Sequence, residues 1–379
     1  MAAETGVATF PQWTAGEDVV LEDGRPLRVN GDEGYDPGDL EEYGATLAAL
    51  DRAAAGIPLD RPWAAPEAHT LDAMTLETWL DGHVERPGVR TMLATTLANV
   101  FAAEPASLSL LHVLFYVRSG GGWASLANTE GGAQQDRLVG GLQEPAVRLA
   151  ARLGDAIRVE WPVRAISQDS WGVVVSGEAG EVRADRAIVA IPPTLAGRLV
   201  YDPALPGSRD QLTQRLPGGS VVKFNLVYAT PWWRELGQRG FVYSPDEPVS
   251  MMFDATPAEG EPGVIVGFME GAKGIAAGRL EAPTRRAFVI EQAERALGPR
   301  SEESIGYVDR DWSAEEWTRG CYGAHFPPGV WTQLGPSLRE PVGRIHWAGT
   351  ETAQRWMGYV DGAIESGIRA AVEVLDDCS

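Results

Sequence analysis

The stretch from Arg344 to Val372, RIHWAGTETAQRWMGYVDGAIESGIRAAV, constrains this chain more than any other part of it. It opens with an apolar run, Ile345-His346-Trp347-Ala348, that reads as a strand. Gly349 follows, then the hydroxyls and carboxylate of Thr350, Glu351 and Thr352. Gly358-Tyr359 leads into an apolar pattern at helical spacing: Val360, Ala363, Ile364, Gly367, Ile368, Ala371. A strand, a tight glycine turn and a helix N-terminus together predict an anion site. Free backbone N–H groups and the positive end of the helix dipole face whatever lies there. Glycine lets the backbone approach a ligand closely. An ordinary strand–turn–helix connection does not require this density of Gly, Thr, Glu, Trp and Tyr.

The 379 residues suffice for two domains with real cores. The net charge of -21 argues against nucleic acid or an anionic membrane as partner. It modestly favours the approach of cationic small molecules, although solubility accounts for it equally well. Two cysteines, Cys321 and Cys378, exclude a disulfide framework and a cysteine-rich metal site. Five scattered histidines offer no metal-ligand spacing, so no metal site is expected. The longest apolar run, Leu108 to Val117, contains Ser109 and His112 and is too short to span a bilayer. No signal peptide is read after Met1, and the expected compartment is the cytosol.

Along the chain, residues 1–62 are rich in Gly, Pro and acid, with helical pieces such as Leu40–Ala55. Ala68–Tyr116 reads as helices, one of them capped at Thr75. Gly120–Gly122 breaks the pattern and Asn128–Gly132 is a loop. A helix is expected over Gln143–Leu153, after Gly140-Gly141. A β-rich block follows, with strands at Ile157–Val159, Val163–Gln168, Gly172–Ser176 and Glu181–Arg183. Arg186–Ile191 is nearly all apolar and suits a buried parallel strand. Val221–Tyr228 and Val264–Met269 are further strands, and Ala282–Leu297 a helix.

The Arg344–Val372 segment closely resembles the C-terminal flavin-binding motif of flavin-dependent amine oxidases, the monoamine oxidase family. GVATFP, RLVGGLQEPAVRLAARLGD, AIVAIPPTL, LPGGSVVKFNLVYATPWWR and GCYGAHFPPGVWTQLG resemble family segments in family order, nearly from residue 4 to residue 375. The resemblance implies an α/β fold: a Rossmann-like FAD domain of residues 137–214 and 316–379, interleaved with an α+β substrate domain of residues 1–136 and 215–315. It also marks a departure. The family's first βαβ unit carries GxGxxG for the FAD pyrophosphate, and no GxGxxG occurs in this sequence. The N-terminal unit is therefore expected to be absent, leaving Arg186–Ile191 with an open edge.

The resemblance further implies FAD-dependent oxidation of a primary amine, with O2 as acceptor and peroxide as product. Tyr322 and Tyr359 match the two aromatic residues that flank the amine. Lys223, sharing a strand face with Asn225, matches the lysine that holds a water near flavin N5. Cys321 matches the cysteine that bears covalent FAD in some members. Trp312, Gly349, Glu351, Thr352, Trp356, Met357 and Val360 resemble residues around the flavin, and Val163 one near the adenine. Val100, Phe101, Leu126, Gln134 and Met251 resemble pocket positions. Apart from Gln134 they are apolar, and no carboxylate or arginine stands out among them. This favours an aryl or alkyl monoamine over a polyamine such as putrescine or an L-amino acid. Two other outcomes stay open: a non-catalytic fragment, and a subunit completed by a separate chain that brings the glycine-rich unit. A homodimer is compatible with the family, and the lack of a C-terminal apolar anchor points to a soluble enzyme.

Overall fold

The computed structural model describes residues 1–377; Cys378 lies outside them. In chain order the strands are β1 (Thr9–Pro11), β2 (Glu17–Glu22), β3 (Arg25–Val29), β4 (Asp136–Leu138), β5 (Val163–Gln168), β6 (Val173–Gly177), β7 (Gly180–Ala184), β8 (Ala187–Val189), β9 (Val200–Asp202), β10 (Val221–Tyr228), β11 (Gln238–Tyr243), β12 (Met251–Asp254), β13 (Gly263–Glu270), β14 (Gly306–Asp311) and β15 (Ile345–Trp347). With the helices between them they make a mixed α/β fold. No helix among the described residues is long and apolar enough to cross a membrane.

Seven strands form the largest sheet, in the order β14-β10-β13-β12-β11-β2-β3. In β10 the side chains of Val222, Phe224, Leu226 and Tyr228 are buried, whereas Lys223, Asn225 and Val227 are half-buried. This period-two pattern gives the sheet two chemically different faces. The apolar face packs on the helix Ala282–Leu297 through Val289, Ala293 and Ala296, beside Trp232 and Trp233. Lys223 is on the opposite face.

A second core is helical. The helix Leu110–Ser119 is apolar all round and accordingly buried, except for Arg118. Against it pack the helices Pro37–Ala54 and Pro87–Phe101, together with Phe326 and Trp331, whose rings stack at 4.0 Å. The Thr75 cap forms as expected, its hydroxyl accepting from Thr78 N–H at 3.1 Å. Asp72 is fully buried beside that turn and accepts from the Ser109 hydroxyl at 2.7 Å and from Thr332 N–H and hydroxyl, each at 2.8 Å.

The third core is small. β8 and β15 pair in parallel, Ile188 opposite His346, and bury Val189, Ile345 and Trp347 with Ile166 of β5. The helix Val360–Asp377 lies against β15, turning Gly362, Ser366 and Ala370 inward.

Three expectations change. Ile157–Val159 is not a strand: each of these residues is exposed, and none belongs to a strand. The strand expected over Arg186–Ile191 pairs only over Ala187–Val189, and Ile188 and Ile191 remain exposed. Residues 17–29, read only as an acidic, Gly- and Pro-rich stretch, form the hairpin of β2 and β3. Val19 and Leu21 alternate into the core there, a short signal masked by the surrounding acids.

Candidate active site

Two segments meet at the end of β10. The first is the loop leading to Cys321-Tyr322. Trp312 N–H donates to the Val221 carbonyl at 3.0 Å, and the Trp312 carbonyl accepts from Gly320 N–H at 2.9 Å. Cys321 N–H donates to the Gly219 carbonyl at 2.9 Å, and His325 N–H to that of Pro217 at 3.0 Å. The loop is thereby zipped alongside residues 217–221. A side chain at Gly219 is excluded, because its Cβ would lie 2.3 Å from the Cys321 carbonyl oxygen. The Cys321–Tyr322 peptide bond is cis.

The second segment is the turn between β15 and the C-terminal helix. Glu351 is buried and accepts from Ala324 N–H at 2.9 Å, tying this turn to the Tyr322 loop. Burial raises the Glu351 carboxyl above its ordinary range. Gly349 N–H donates to the Ser366 hydroxyl, and Thr352 Oγ1 donates to the Gly349 carbonyl and accepts from Arg369. Trp356 and Met357 hang from Ser119, their N–H groups donating to its carbonyl and hydroxyl at 3.1 and 3.0 Å. The Tyr359 carbonyl accepts from the Thr350 hydroxyl at 2.9 Å, just before the helix begins at Val360.

The half-polar face of the large sheet closes a third side. Lys223 stands opposite Phe268 of β13, and Phe268 opposite Met251 of β12. Residues paired in this way share a face. The Lys223 ammonium lies 5.6 Å from the Phe268 ring centroid. Burial lowers the Lys223 pKa, Cys321 counters this, and Arg137 adds to it. Phe268 meets Tyr322 edge-on at 6.2 Å. The Tyr322 hydroxyl donates to Glu270, the last residue of β13. Burial first, then Glu270, pushes the Cys321 thiol up to about 12, against the pull of Lys223.

Between these walls lies a partly open aromatic hollow of about 20 Å³, room for one water. Val100, Phe101, Tyr116, Tyr322, Met357 and Gly358 line it, with His112 and His325 at its floor. Burial drives both imidazoles down, to about 3 and about 4, so they are neutral at physiological pH.

The expected residues therefore fall in several places. Val100, Phe101, Tyr322, Glu351 and Met357 line the cavity. Tyr359 lies one ring further out, its centroid 6.2 Å from that of Tyr116 and 5.2 Å from that of Trp356. Leu126 is buried, and its carbonyl accepts from both Tyr359 and Gln134 at 3.5 Å. Met251 shares the sheet face of Lys223. Val163 sits apart, at the start of β5 against the small third core. Tyr116 and Glu270 were not anticipated. Tyr116 was one more apolar residue in a core helix, and Glu270 ended a strand without a motif around it.

The arrangement fits a flat ring with an anionic edge. Gly323, Gly349 and Gly358 let the backbones of the segments close in around the Glu351 carboxylate, whose oxygens would lie 3.4 and 3.5 Å from a Cβ added at Gly323 and Gly349. A methyl added at Gly323 would lie 3.8 Å from Gly358 Cα, and one at Gly349 would lie 3.7 Å from the Ile191 carbonyl oxygen. Ile191, Tyr322 and Val360 offer exposed apolar surface around this floor. The 18-residue helix beginning at Val360 directs the positive end of its dipole at the same place.

Comparison with known proteins agrees with this chemistry. A model of the family described as flavin containing amine oxidoreductase matches residues 1–375. A probable flavin-containing monoamine oxidase A of Dictyostelium discoideum is 35% identical over 384 residues, covering 98% of this chain and 83% of that protein. Among solved structures, a putrescine oxidase bound to putrescine superposes with TM-score 0.94 at 32% identity, over 99% of this chain and 84% of that one. The cyclohexylamine oxidase of Brevibacterium oxydans does so with TM-score 0.93 at 31% identity, over 100% and 84%. The chain belongs to the flavin-containing amine oxidoreductase family, as an amine oxidoreductase with FAD as its cofactor.

Proposed function

We propose that this chain oxidises a primary aryl or alkyl monoamine to its imine, with O2 reduced to hydrogen peroxide. The amine loses two electrons and two protons, O2 takes them up, and water hydrolyses the imine to an aldehyde, or to a ketone where the amine sits on a secondary carbon, and ammonia. The observation that carries the reading is the aromatic hollow lined by Phe101, Tyr116 and Tyr322, joined through Phe268 to the half-buried Lys223.

FAD supplies the two-electron acceptor and the reaction with oxygen. Thr352, Trp356, Met357, Val360, Gly349 and Trp312 would hold its ring end, and Cys321 would carry a thioether to it. Tyr322 and Tyr359 flank the amine with ring faces and offer it no salt bridge, so the neutral amine needed for oxidation is not disfavoured. Lys223, its charge partly desolvated, holds a water and stabilises negative charge developing on oxygen. Residues 137–214 and 316–379 would form the cofactor domain, residues 1–136 and 215–315 the substrate domain, and the compartment would be the cytosol.

The solved neighbours act on a diamine and on a cyclic monoamine, and the mainly aromatic and apolar lining, with both histidines neutral, favours the second kind. A kinetic panel of benzylamine, cyclohexylamine, putrescine, spermidine and L-amino acids tests this. Preference for putrescine or an amino acid by kcat/KM would overturn the monoamine reading.

A second reading concerns the phosphate end of FAD. Val360, Ile368, Val372 and Leu375 form an exposed apolar stripe on the C-terminal helix, near β8 with its exposed Ile188. We infer that a glycine-rich strand–helix unit covers this surface. A separate chain would contribute it. Co-purification of a polypeptide bearing GxGxxG supports the separate chain, and FAD binding by this chain alone contradicts it.

A further inference from the structure

Glu270 is a buried acid for which the proposed chemistry has no use. It is 4% exposed, ends β13, and precedes Gly271, whose φ is +58°. As N-cap of the helix Gly271–Gly278 it makes no capping hydrogen bond. Glu104 does that work instead, accepting from Ala272 N–H at 2.8 Å. The Glu270 side chain turns towards Tyr322, and its Oε1 accepts the phenol hydrogen. Its Oε2 is buried without a partner. The nearby Lys273 ammonium is bound to the Pro245 carbonyl and the Ser250 hydroxyl. A buried carboxyl held by one phenol is costly, and a Leu would avoid the cost.

β13 thus restrains Tyr322 at two points. Phe268 meets the ring edge, and Glu270, two residues on and on the same strand face, holds the hydroxyl. The Tyr322 ring would otherwise turn about its side-chain torsions, since it is 44% exposed.

We propose that Glu270 is a positioning residue that fixes the Tyr322 ring against the hollow through the phenol hydrogen bond. The pairing stands on geometry alone, and its role in catalysis rests on the amine oxidase reading above. Charge agrees with it: burial and then Glu270 hold the Tyr322 phenol well above its ordinary value. Cys321 and Tyr116 act on the phenol in the same direction, and Tyr322 and Lys273 both favour the ionised form of Glu270.

Two measurements test this. The first is the ultraviolet titration of Tyr322, isolated by subtracting the curve of Tyr322→Phe, and it needs neither cofactor nor substrate. Glu270→Leu and Glu270→Gln should both move the Tyr322 curve to lower pH, and an unmoved curve in both overturns the pairing. The second is a double-mutant cycle in amine oxidation by the FAD-loaded protein. Glu270→Leu and Tyr322→Phe should each lower kcat/KM by roughly tenfold, and the double variant should lose no more than either. Glu270→Gln should recover most of the loss. Additive losses, or full activity in Glu270→Leu, overturn the positioning role. An inactive wild type overturns the function proposed above, and the titration still decides the pairing.

Discussion

Lys223 and Phe268 stand opposite each other on neighbouring antiparallel strands, the ammonium 5.6 Å from the centre of the ring. Phe268 in turn meets Tyr322, so a row of side chains joins the lysine to the aromatic hollow. Lysine is strongly hydrated and avoids half-buried positions without reason. We predict that Lys223→Met slows reoxidation of the reduced protein by O2 roughly a hundredfold, while anaerobic reduction by amine changes far less. Stopped-flow absorbance measures the two half-reactions separately, and equal effects on both contradict the assignment.

The buried Glu270 makes stability depend on pH. Its carboxyl is pushed from an ordinary value of 4.5 up to about 8, by burial above all. The folded state therefore holds this proton more tightly than the unfolded chain. The contribution is fully present below the ordinary value and is lost as pH rises through about 8. Urea midpoints at about pH 5 and about pH 9 should differ more for the wild type than for Glu270→Gln. A variant with the same slope contradicts the burial argument.

Asp72 holds the helical core together from inside. Truncating it leaves the buried Ser109 hydroxyl and the half-buried Thr332 donors without their acceptor. Asp72→Ala should cost about 3 kcal/mol in denaturant unfolding, and a loss below about 1 kcal/mol would mean that water replaces the carboxylate.

How much of this was legible in the sequence depends on the range of the forces involved. Ala282–Leu297 and Val221–Tyr228 were read with their observed ends, because a long periodic pattern is local information. The Gly349 turn and the helix after Tyr359 were legible for the same reason. The Glu351 bond to Ala324 N–H and the Ser119 bonds to Trp356 and Met357 were not, since each joins residues distant in the chain. Glu270 was missed because its partner Tyr322 lies 52 positions away. Tyr116 was missed because burial in an apolar helix hides which residue faces a cavity. Ile157–Val159 misled because an alternating triplet, Ile157 and Val159 about Arg158, makes a strand only where another strand pairs with it.

Cys321 offers a further check. Its thiol is pushed up to about 12, by burial first, so it carries little thiolate at neutral pH. In a Cys378→Ser background, labelling by a thiol reagent should be slow at neutral pH, and fast labelling there would contradict the burial of the thiol. FAD-loaded protein should retain acid-stable flavin after precipitation, and Cys321→Ala should retain none. Acid-stable flavin in that variant refutes the thioether.

The most direct measurement is an anaerobic titration of the FAD-loaded protein with benzylamine, followed by readmission of air. The account predicts that the visible flavin absorbance bleaches with the amine. On reoxidation one peroxide should appear for each amine consumed. Protein that carries FAD and is bleached by no amine would contradict it.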